Sequence, residues 1–551
     1  MTADNLRTIE QTEQERRGKL KERILCCTVA GCLSGGARSI RDAIQLEVDQ
    51  QGKAGEVEVC GTGCMGLCCE GPLVRSAASE RVFTHVAPVD ARALVAGNHD
   101  AFEGRTLEAY DAFYAGQHRL ILANSGHTDP ERVADYISMG GYGALLAATE
   151  MAPAEIVGEV KRSGLRGRGG AGYPTGLKWE LVARQSSPVK YVVCNADEGD
   201  PGAFMNRSVL EGDPHRVLEG MAIAGRAVGA QQGYVYARGE SPLAIARLKT
   251  AIDQANAAGL LGDRIFDSSF HFRIDLRIGA GAYVCGEETA LLASIEGKRG
   301  MPVPRPPYPP ERGLWGQPTL INNVETFANI PNIISKGGAW FASVGSKSSP
   351  GTKIFAVAGR VARTGLVEVP VGTPLRTILY DIGGGVPEGY EFKAAQTGGP
   401  AGGCIPAKYL DLPMDYDSLN AIGTMMGSGG LIVMDTSSCM VDIARFFMEF
   451  CMSESCGKCI PCRAGTVQMH DILARMTRGE GVEADFSILE ELAGLLKETS
   501  LCGLGLAAPN PVVSTLHHFR DEYEAHVREG RCPAGHCQIP AREPQLEESM
   551  V

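Results

Sequence analysis

Apolar and polar positions form distinct blocks along the chain, and these blocks predict several α/β units. Short apolar runs bounded by glycine or polar clusters predict strands, whereas the alanine-rich stretch 91–159 has the apolar spacing of helices. From 351 to 431 strands alternate with glycine-rich turns, and 436–450 returns to a helical pattern. The predicted strands cover residues 24–27, 57–59, 189–194, 233–238, 270–276, 353–357 and 365–369.

The length and composition are those of a multidomain globular protein. The 551 residues predict three or four domains, and hydrophobic (44%) and charged (21%) fractions are ordinary. The formal charge of −12 disfavours nonspecific binding of nucleic acid. No apolar run is long enough to cross a bilayer, and residues 1–22 form a polar arm unlike a signal peptide. These features predict a cytoplasmic protein.

A glycine-rich stretch at 164–179 is the first candidate binding segment. It contains six glycines in sixteen residues together with Arg166, Arg168 and Lys178. A bare, basic backbone of this kind favours the phosphate of a nucleotide. It formally contains G-x-G-x-x-G, but no strand precedes it, so a standard Rossmann loop is not predicted. A flexible surface turn is the alternative interpretation of this stretch alone.

Polar and acidic side chains follow two of the predicted strands. The strand at 189–194 ends in residues 195–200, rich in Asn, Asp and Glu, where α/β folds commonly bind ligands. A second glycine turn, 279–289, carries Glu287 and Glu288. Carboxylates facing a phosphate would repel it, so these two suit ribose hydroxyls; a surface acidic pair is the alternative. The six prolines within 301–310 predict a rigid extended loop without helix.

Clustered cysteines predict metal centres, because 18 cysteines in a long chain favour metal binding over disulfides. C-x2-C-x2-C plus one remote cysteine is [4Fe–4S] spacing, with a four-cysteine zinc site as the alternative. Two thiol pairs near the N-terminus could hold a [2Fe–2S] cluster or be structural thiols, with three further cysteines adjoining them. The tail could bind zinc, carry idle thiols or contact a partner's cluster. The candidate ligands are Cys456, Cys459, Cys462 and Cys502 for [4Fe–4S], Cys27, Cys32, Cys64 and Cys68 for [2Fe–2S], and Cys532, Cys537, His518 and His536 for zinc.

The segments GRGGAGYPTGLKW (167–179) and NADEGDPGAF (195–204) resemble the flavin-binding core of a known family, the NADH-oxidising FMN and iron–sulfur subunits of respiratory complex I and soluble diaphorases. The resemblance implies a multidomain α/β fold. Its expected parts are a polar arm (1–22), a thioredoxin-like [2Fe–2S] domain (23–100), a Rossmann-like FMN- and NADH-binding domain with linker helices (101–349), a β-grasp domain (350–432), a helical [4Fe–4S] domain (433–530) and a C-terminal tail (531–551).

The same resemblance implies the residues at each cofactor, and it implies no catalytic acid or base. Glu287, Glu288 and Asp200 are expected to position the reactants, because hydride transfer needs no proton donor from the protein. The implied FMN residues are Gly167, Arg168, Gly169, Gly170, Lys178, Asn195, Asp197, Glu198, Gly286, Glu287, Asn322, Asn323 and Thr326. The implied NADH residues are Tyr173, Asp200, Glu288, Arg305 and Tyr308.

The implied function is reversible hydride transfer between NAD(H) and FMN, then one-electron transfer through the two clusters to a partner iron–sulfur subunit. The opening CCTVAGCLSGGA (26–37) most resembles the flavoprotein subunit of the bidirectional NAD-reducing nickel–iron hydrogenase. The diaphorase subunits of NAD-dependent formate dehydrogenase and of electron-bifurcating hydrogenase are alternatives. A non-enzymatic electron carrier or scaffold is an alternative of a different class.

Overall fold

A computed structural model describes residues 1–107 and 112–540. Residues 108–111 of the expected linker and 541–551 of the expected tail lie outside this description. Sheets and helices alternate as the sequence predicts, and the result is a mixed α/β fold of several parts.

The N-terminal part is a five-stranded sheet in the order β2-β1-β3-β4-β5. Strand β1 runs parallel to β2 and antiparallel to β3. Because successive strand residues face opposite sides, Cys26 and Cys27 lie in different cores. The sheet reaches residue 107, past the predicted boundary at 100. Its elements are α1 Ala3–Gly18, β1 Glu22–Cys27, α2 Ala30–Ser34, α3 Ala37–Gln50, β2 Val57–Thr62, β3 Val74–Ser76, β4 Val82–Phe83, α4 Ala91–Ala96 and β5 Thr106–Leu107.

The predicted polar arm is a docked helix. Helix α1 contacts the helix Val133–Ser138 (α6 below), where Arg17 pairs with the buried Asp135 at 2.9 Å. Glu13 pairs with Arg132 at 3.2 Å, and Leu6 is buried. Ion pairs, the buried Leu6 and the partly buried Ile9 therefore hold a helix that has little apolar face of its own.

The central part is a parallel four-stranded sheet in the order β8-β7-β6-β9. Its middle strand β6 is buried through residues 192–194, as the continuous apolar run predicts for a sheet covered on both faces. Its elements are α5 Ala112–Ala115, α6 Val133–Ser138, α7 Gly143–Glu150, α8 Pro153–Arg162, α9 Thr175–Ala183, β6 Tyr191–Ala196, α10 Met205–Gly212, α11 Pro214–Val228, β7 Gln232–Arg238, α12 Pro242–Ala257, β8 Arg273–Gly279, α13 Glu288–Ile295, α14 Pro309–Arg312, β9 Thr319–Asn323, α15 Val324–Lys336 and α16 Gly338–Ala342.

Two local predictions in this part needed correction. Strand β9 was not predicted, although it pairs in parallel with β6 and carries the Asn322 and Asn323 pair. The proline-rich loop was expected to contain no helix through residue 310, but the short helix α14 begins at Pro309. Proline is tolerated in a first helical turn because the N–H it lacks has no partner there anyway.

The third part is a mixed five-stranded sheet in the order β13-β12-β16-β14-β15. Strands β12 and β16 are parallel, and the other pairs are antiparallel. The sheet extends to residue 435, slightly past the predicted boundary at 432. Its elements, with the small preceding hairpin, are β10 Gly345–Ser346, β11 Ser349–Pro350, β12 Thr352–Gly359, β13 Gly365–Pro370, β14 Phe392–Thr397, β15 Cys404–Pro406, α17 Tyr416–Ala421 and β16 Gly430–Asp435.

The C-terminal part is helical and has its own apolar core. Helices α18 and α19 pack along each other, and α22 lies against α18. No helix among the described residues has both the length and the apolar character needed to cross a bilayer. The helices are α18 Met440–Ser453, α19 Ile460–Thr477, α20 Ala484–Thr499, α21 Gly503–Ala507, α22 Asn510–His518 and α23 Arg520–Glu524.

Candidate functional site

A cleft with two adjoining chambers lies where the glycine-rich stretch meets the ends of the central strands. The outer chamber has a volume of about 770 Å³ and the inner chamber about 610 Å³, in the range of ligand sites. Both are lined by Gly169, Asn195, Gly286, Glu287 and Asn323, so the two chambers lie side by side. The outer chamber also contains Gly167, Gly170, Tyr173, Lys178, Glu288, Arg305, Tyr308, Asn322 and Thr326, whereas the inner one contains Asp197, Glu198, Asp200, Tyr283 and Ser428.

The glycine-rich loop runs between helices α8 and α9, not between a strand and a helix, which confirms that it is not a standard Rossmann loop. It folds back on itself through a hydrogen bond from the Gly167 N–H to the Tyr173 carbonyl at 2.8 Å. Gly172 has a φ of +64°, and a Cβ there would stand 2.5 Å from the ring of Tyr416. The loop therefore needs glycine at this position to keep its shape.

Arg168, one of the residues expected at FMN, has its side chain outside both chambers. It is fully buried, and its guanidinium donates to the carbonyls of Thr352, Arg166 and Pro350 at 3.0, 3.1 and 2.6 Å. It does not line either chamber. The physical reason is that a buried guanidinium must satisfy its donors, and these carbonyls lie behind the loop. Its backbone N–H, bonded to Thr326 Oγ1 at 2.9 Å, stays near the cleft.

The N-terminus of helix α15 lies against the glycine loop. Asn323 caps this helix by accepting the Glu325 N–H at 2.9 Å. Asn322 accepts the indole N–H of the buried Trp179 at 2.9 Å. A Cβ on Gly169 would lie 3.1 Å from Asn323 Cβ, so loop and helix terminus are in close contact. A helix N-terminus facing a glycine loop suits a phosphate.

The outer chamber combines one ion pair with two exposed aromatic rings. Arg305 Nη1 contacts Glu288 Oε1 at 2.5 Å. Tyr173 is 46% exposed and Tyr308 is 50% exposed, although both are large and partly apolar. The guanidinium of Arg305 lies 5.7 Å from the centre of the Tyr308 ring. Open aromatic faces beside a carboxylate and a guanidinium suit a nucleotide base and its ribose.

The inner chamber contains three carboxyl groups whose ionisation burial disfavours. Burial raises the pKa of Asp197 to about 7, and it also raises the pKa values of Glu198 and Asp200. Glu198 accepts the backbone N–H groups of Asn206 and Arg207 at 2.8 and 2.9 Å. These contacts fix the Glu198 carboxylate against the first turn of helix α10.

Asp200 lies in the inner chamber, apart from the other four residues expected at NADH, which all line the outer chamber. It accepts hydrogen bonds from Tyr283 Oη and Ser428 Oγ, each at 2.7 Å. Tyr283 and Ser428 were not predicted. Tyr283 lies within the second glycine turn, 279–289, whereas Ser428 comes from a part of the chain with no predicted site motif.

Buried polar atoms without partners test whether the inner chamber fits a flavin. Among the described residues, Asp197 Oδ2, Asn206 Oδ1 and Arg238 Nη1 are buried and have no hydrogen-bond partner. Asp197 and Asn206 line the chamber. A flavin ring offers donors and acceptors along its pyrimidine edge, which is the kind of partner such atoms require. The residues present therefore fit the ring, and the glycine loop fits its phosphate.

Cys456, Cys459, Cys462 and Cys502 line one small cavity beside the inner chamber. Burial raises the pKa of Cys462 to about 11, so a bound metal would be needed to keep this thiol deprotonated. Val284 and Leu504 line both this cavity and the inner chamber. The cysteine cavity and the cleft are thus separated by about one layer of side chains.

The four predicted N-terminal ligands also meet. The thiols of Cys27 and Cys32, of Cys27 and Cys64, and of Cys64 and Cys68 lie within hydrogen-bonding reach of one another. Four sulfurs in two loops fit a [2Fe–2S] cluster. Of the three adjoining cysteines, Cys26 lies in the core on the opposite side of the sheet, Cys60 contacts Arg23 Nη2 at 3.6 Å, and Cys69 is exposed.

The predicted zinc ligands needed correction. Cys532 and Cys537 do meet, but their partners are Cys439 and His526, and the four ligand atoms lie within 4.8 Å of one another. His518 instead packs against the rings of Tyr409 and His517, and His536 Nε2 lies 3.1 Å from Asp442. Cys439 is the N-cap residue of α18, and His526 lies in the turn directly after α23. No local spacing in the sequence therefore indicated that they meet.

Comparisons with known proteins agree with this geometry. The family model described as the Nuo51 FMN-binding domain matches residues 160–332, and the NADH-ubiquinone oxidoreductase-F iron–sulfur binding region matches 442–526. The chain is 56% identical over 421 residues to the HndC subunit of the NADP-reducing hydrogenase of Solidesulfovibrio fructosivorans, covering 76% of this chain and 86% of that protein. It is 46% identical to a subunit of the NADH-quinone oxidoreductase of Rhizobium meliloti over 75% of this chain and 99% of that protein.

The fold is likewise similar to a solved structure. A chain in the crystal structure of NAD⁺-reducing [NiFe]-hydrogenase in the H₂-reduced state superposes with a TM-score of 0.67 at 28% identity, covering 95% of this chain and 90% of that chain. These similarities extend over the cleft and the four-cysteine cavity. The chain therefore belongs to the family of NADH-oxidising FMN and iron–sulfur subunits shared by complex I and the hydrogenase diaphorases.

Proposed function

We propose that the chain is an NADH:acceptor oxidoreductase subunit that binds NADH in the outer chamber and FMN across the inner chamber and the glycine loop. The observation that supports this most directly is the shared wall of Val284 and Leu504 between the inner chamber and the cavity of the four C-terminal cysteines. A hydride carrier delivers two electrons together, whereas an iron–sulfur cluster takes one. A flavin between them is the converter this arrangement suits.

Bound FMN supplies the chemistry of accepting a hydride and releasing electrons singly. The residues of the chain would hold and orient the FMN. The glycine loop and the α15 N-terminus would hold the phosphate, with Gly167, Gly169, Gly170, Lys178, Asn322, Asn323 and Thr326 around it and Arg168 contributing only backbone. Asn195, Asp197, Glu198, Gly286 and Glu287 would line the ring, with Asp200 bonded behind them.

The outer chamber would bind the nucleotide of NADH between Tyr173 and Tyr308. The carboxylate of Glu288 would accept the ribose hydroxyls, and Arg305 would keep that carboxylate in place through their ion pair. The same carboxylate would repel the additional phosphate of NADPH. One relative is a subunit of an NADP-reducing hydrogenase and the other of an NADH-quinone oxidoreductase. We therefore base the proposed preference of this chain for NADH over NADPH on its own outer-chamber residues.

Cys456, Cys459, Cys462 and Cys502 would hold the [4Fe–4S] cluster, and Cys27, Cys32, Cys64 and Cys68 a [2Fe–2S] cluster in a thioredoxin-like domain. The parallel central sheet would be the Rossmann-like FMN and NADH domain, and the mixed sheet after it a β-grasp domain. We assign the acceptor to a partner iron–sulfur subunit of an NAD-reducing hydrogenase in the cytoplasm, where thiol ligands stay reduced.

NADH reduction followed by electron paramagnetic resonance tests this function. NADH added anaerobically is expected to bleach the flavin absorbance and to produce the signal of a reduced [4Fe–4S] cluster. Cys459→Ser is expected to keep the bleaching and lose that signal, while Cys69→Ser, which changes an exposed cysteine, keeps both. Bleaching without any cluster signal in the unaltered protein would contradict the proposal.

The third metal centre we propose is zinc held by Cys439, His526, Cys532 and Cys537. The sulfurs of Cys439 and Cys537 are 3.6 Å apart, and His526 Nε2 lies 3.5 Å from Cys439 Sγ. Zinc–sulfur bonds of about 2.3 Å at tetrahedral angles put sulfurs about 3.8 Å apart. His526 Nδ1 lies 2.7 Å from the Glu522 carbonyl, which fixes the ring with Nε2 toward the sulfurs.

Metal analysis distinguishes zinc from idle thiols. The purified protein is expected to contain about one zinc per chain, and Cys537→Ser is expected to lose it while keeping FMN and iron. Cys69→Ser is the control and should keep zinc. A disulfide between Cys439 and Cys537 in anaerobically prepared protein, or absence of zinc, would overturn this assignment.

A further inference from the structure

Residues of the central domain hold the first pair of N-terminal cysteines in place. The loop from Cys27 to Cys32 contains Thr28 and Ala30, and both are bonded from outside their own sheet. Glu211 Oε2 accepts the Ala30 N–H at 2.9 Å. Arg247 Nη2 donates to Thr28 Oγ1 at 2.7 Å. The side chains of Glu211 and Arg247 are almost completely buried, so these contacts are part of the domain seam.

The second pair of cysteines lies against helix α10, the helix that carries Glu211. Gly63 precedes Cys64, and a Cβ on Gly63 would stand 2.8 Å from the Cα of Gly212. Gly212 is the last residue of helix α10, directly after Glu211. Both cysteine loops therefore converge on the C-terminal end of α10. The other end of this helix binds Glu198 of the inner chamber, about 12 Å away at 1.5 Å per residue.

The Glu211 carboxylate is incompletely compensated. Its Oε1 has no hydrogen-bond partner among the described residues, and Arg207 Nε is 3.8 Å from it. Arg247 Nη1 donates to the Glu211 carbonyl, and Arg247 Nε donates to the Glu131 carboxylate. A charge in a buried seam acts on its surroundings more strongly than one in water.

We propose that Glu211 is a positioning residue that lowers the reduction potential of the cluster held by Cys27, Cys32, Cys64 and Cys68. This rests on the proposed [2Fe–2S] site. Reduction adds negative charge to the cluster, and a buried carboxylate bonded to the ligand loop opposes that addition. Net charge and hydrogen bonding around the sulfurs are the quantities that set such potentials.

Glu211→Gln tests the charge while keeping the length of the side chain and an acceptor for the Ala30 N–H. In an anaerobic redox titration of the full holoprotein, followed by the [2Fe–2S] resonance signal, the reduced-to-oxidised ratio at a fixed potential is expected to rise about tenfold. For a one-electron couple that is about 59 mV. Glu131→Gln removes a carboxylate 3.3 Å from Arg247 that does not touch the cysteine loop, and it should leave the ratio unchanged.

Arg207→Gln changes the charge near the cluster in the opposite direction, because it removes a cation instead of a carboxylate. Arg207 is partly exposed, so its replacement should leave the fold intact, and losing this cation is expected to lower the ratio about threefold. The [4Fe–4S] signal and the FMN content of each sample report correct assembly. If Glu211→Gln fails to assemble, the Arg207→Gln titration decides.

The outcomes separate the two proposals. Unaltered protein with about four irons and no second cluster signal would show that the [2Fe–2S] assignment is wrong. A normal second signal whose potential is unchanged by Glu211→Gln, or unchanged or raised by Arg207→Gln, would overturn the role of Glu211 and leave the cluster assignment standing.

Discussion

Replacing Glu288 by alanine should change nucleotide binding far more than stability. Its ion pair with Arg305 is partly exposed, at 22% and 36% of the two side chains, and pairs of this kind contribute about 1 kcal/mol or less. A hydrogen bond from a ribose hydroxyl to a charged acceptor contributes about 1.5–3 kcal/mol. The KM for NADH is therefore expected to rise about 10- to 100-fold, at 1.4 kcal/mol per tenfold. The KM for NADPH should fall, because Arg305 is freed and the repelling carboxylate is gone.

Steady-state oxidation of NADH and NADPH with an artificial one-electron acceptor measures both changes, and flavin content should stay at the unaltered level. Glu180→Ala is the matched control. Glu180 is 23% exposed and pairs with Lys161 and Arg184, but it lies outside both chambers. Unchanged KM values for both nucleotides in Glu288→Ala would refute the assignment of Glu288 to the ribose.

Three further predictions concern residues in the cleft or next to it. Gly172→Ala should lose FMN, because the new Cβ meets the Tyr416 ring in a left-handed backbone, whereas Gly143→Ala has open space and should keep it; equal flavin contents would contradict this. Lys353→Met should leave Glu325 buried and unpaired and cost about 3–5 kcal/mol, lowering the thermal midpoint, and adding Glu325→Gln should restore most of it. Burial raises the pKa of Asp197 to about 7, above its value in the unfolded chain. The folded protein therefore keeps this carboxyl protonated up to about pH 7 while the unfolded chain loses the proton, so the free energy of unfolding falls as the pH rises to 7. The stability of flavin-free Asp197→Asn over unaltered protein should thus grow by about 3 kcal/mol between pH 5 and pH 8, at 1.36 kcal/mol per pH unit up to pH 7; a pH-independent difference in denaturation midpoints would contradict this.

Local motifs indicated much of the cleft because many of its lining residues come from short contiguous segments. The glycine loop, the acidic strand end and the C-x2-C-x2-C run each place several functional residues within ten or so positions. Residue type also indicated their chemistry. The direction of a side chain was less predictable: Arg168 is basic and lies within the loop, yet backbone carbonyls behind the loop satisfy its guanidinium.

Contacts between segments far apart in the chain could not be predicted from the sequence. Cys439 and His526 are 87 positions apart and meet only because α18 and the helices after α22 pack together. Glu211 and Arg247 sit in ordinary helical patterns, and only the domain seam brings them to the N-terminal cysteines. Strand β9 was not predicted because two of its five residues, Asn322 and Asn323, are polar and interrupt the apolar pattern of a buried strand.

The central claim is that one chain joins a hydride site to single-electron carriers. Anaerobic purification followed by quantification of flavin and iron, with NADH oxidation by an artificial one-electron acceptor, tests this claim most directly. We expect about one FMN and about six irons per chain, together with NADH-dependent activity. Iron without flavin or activity would contradict the account and would make the chain an electron carrier or a scaffold.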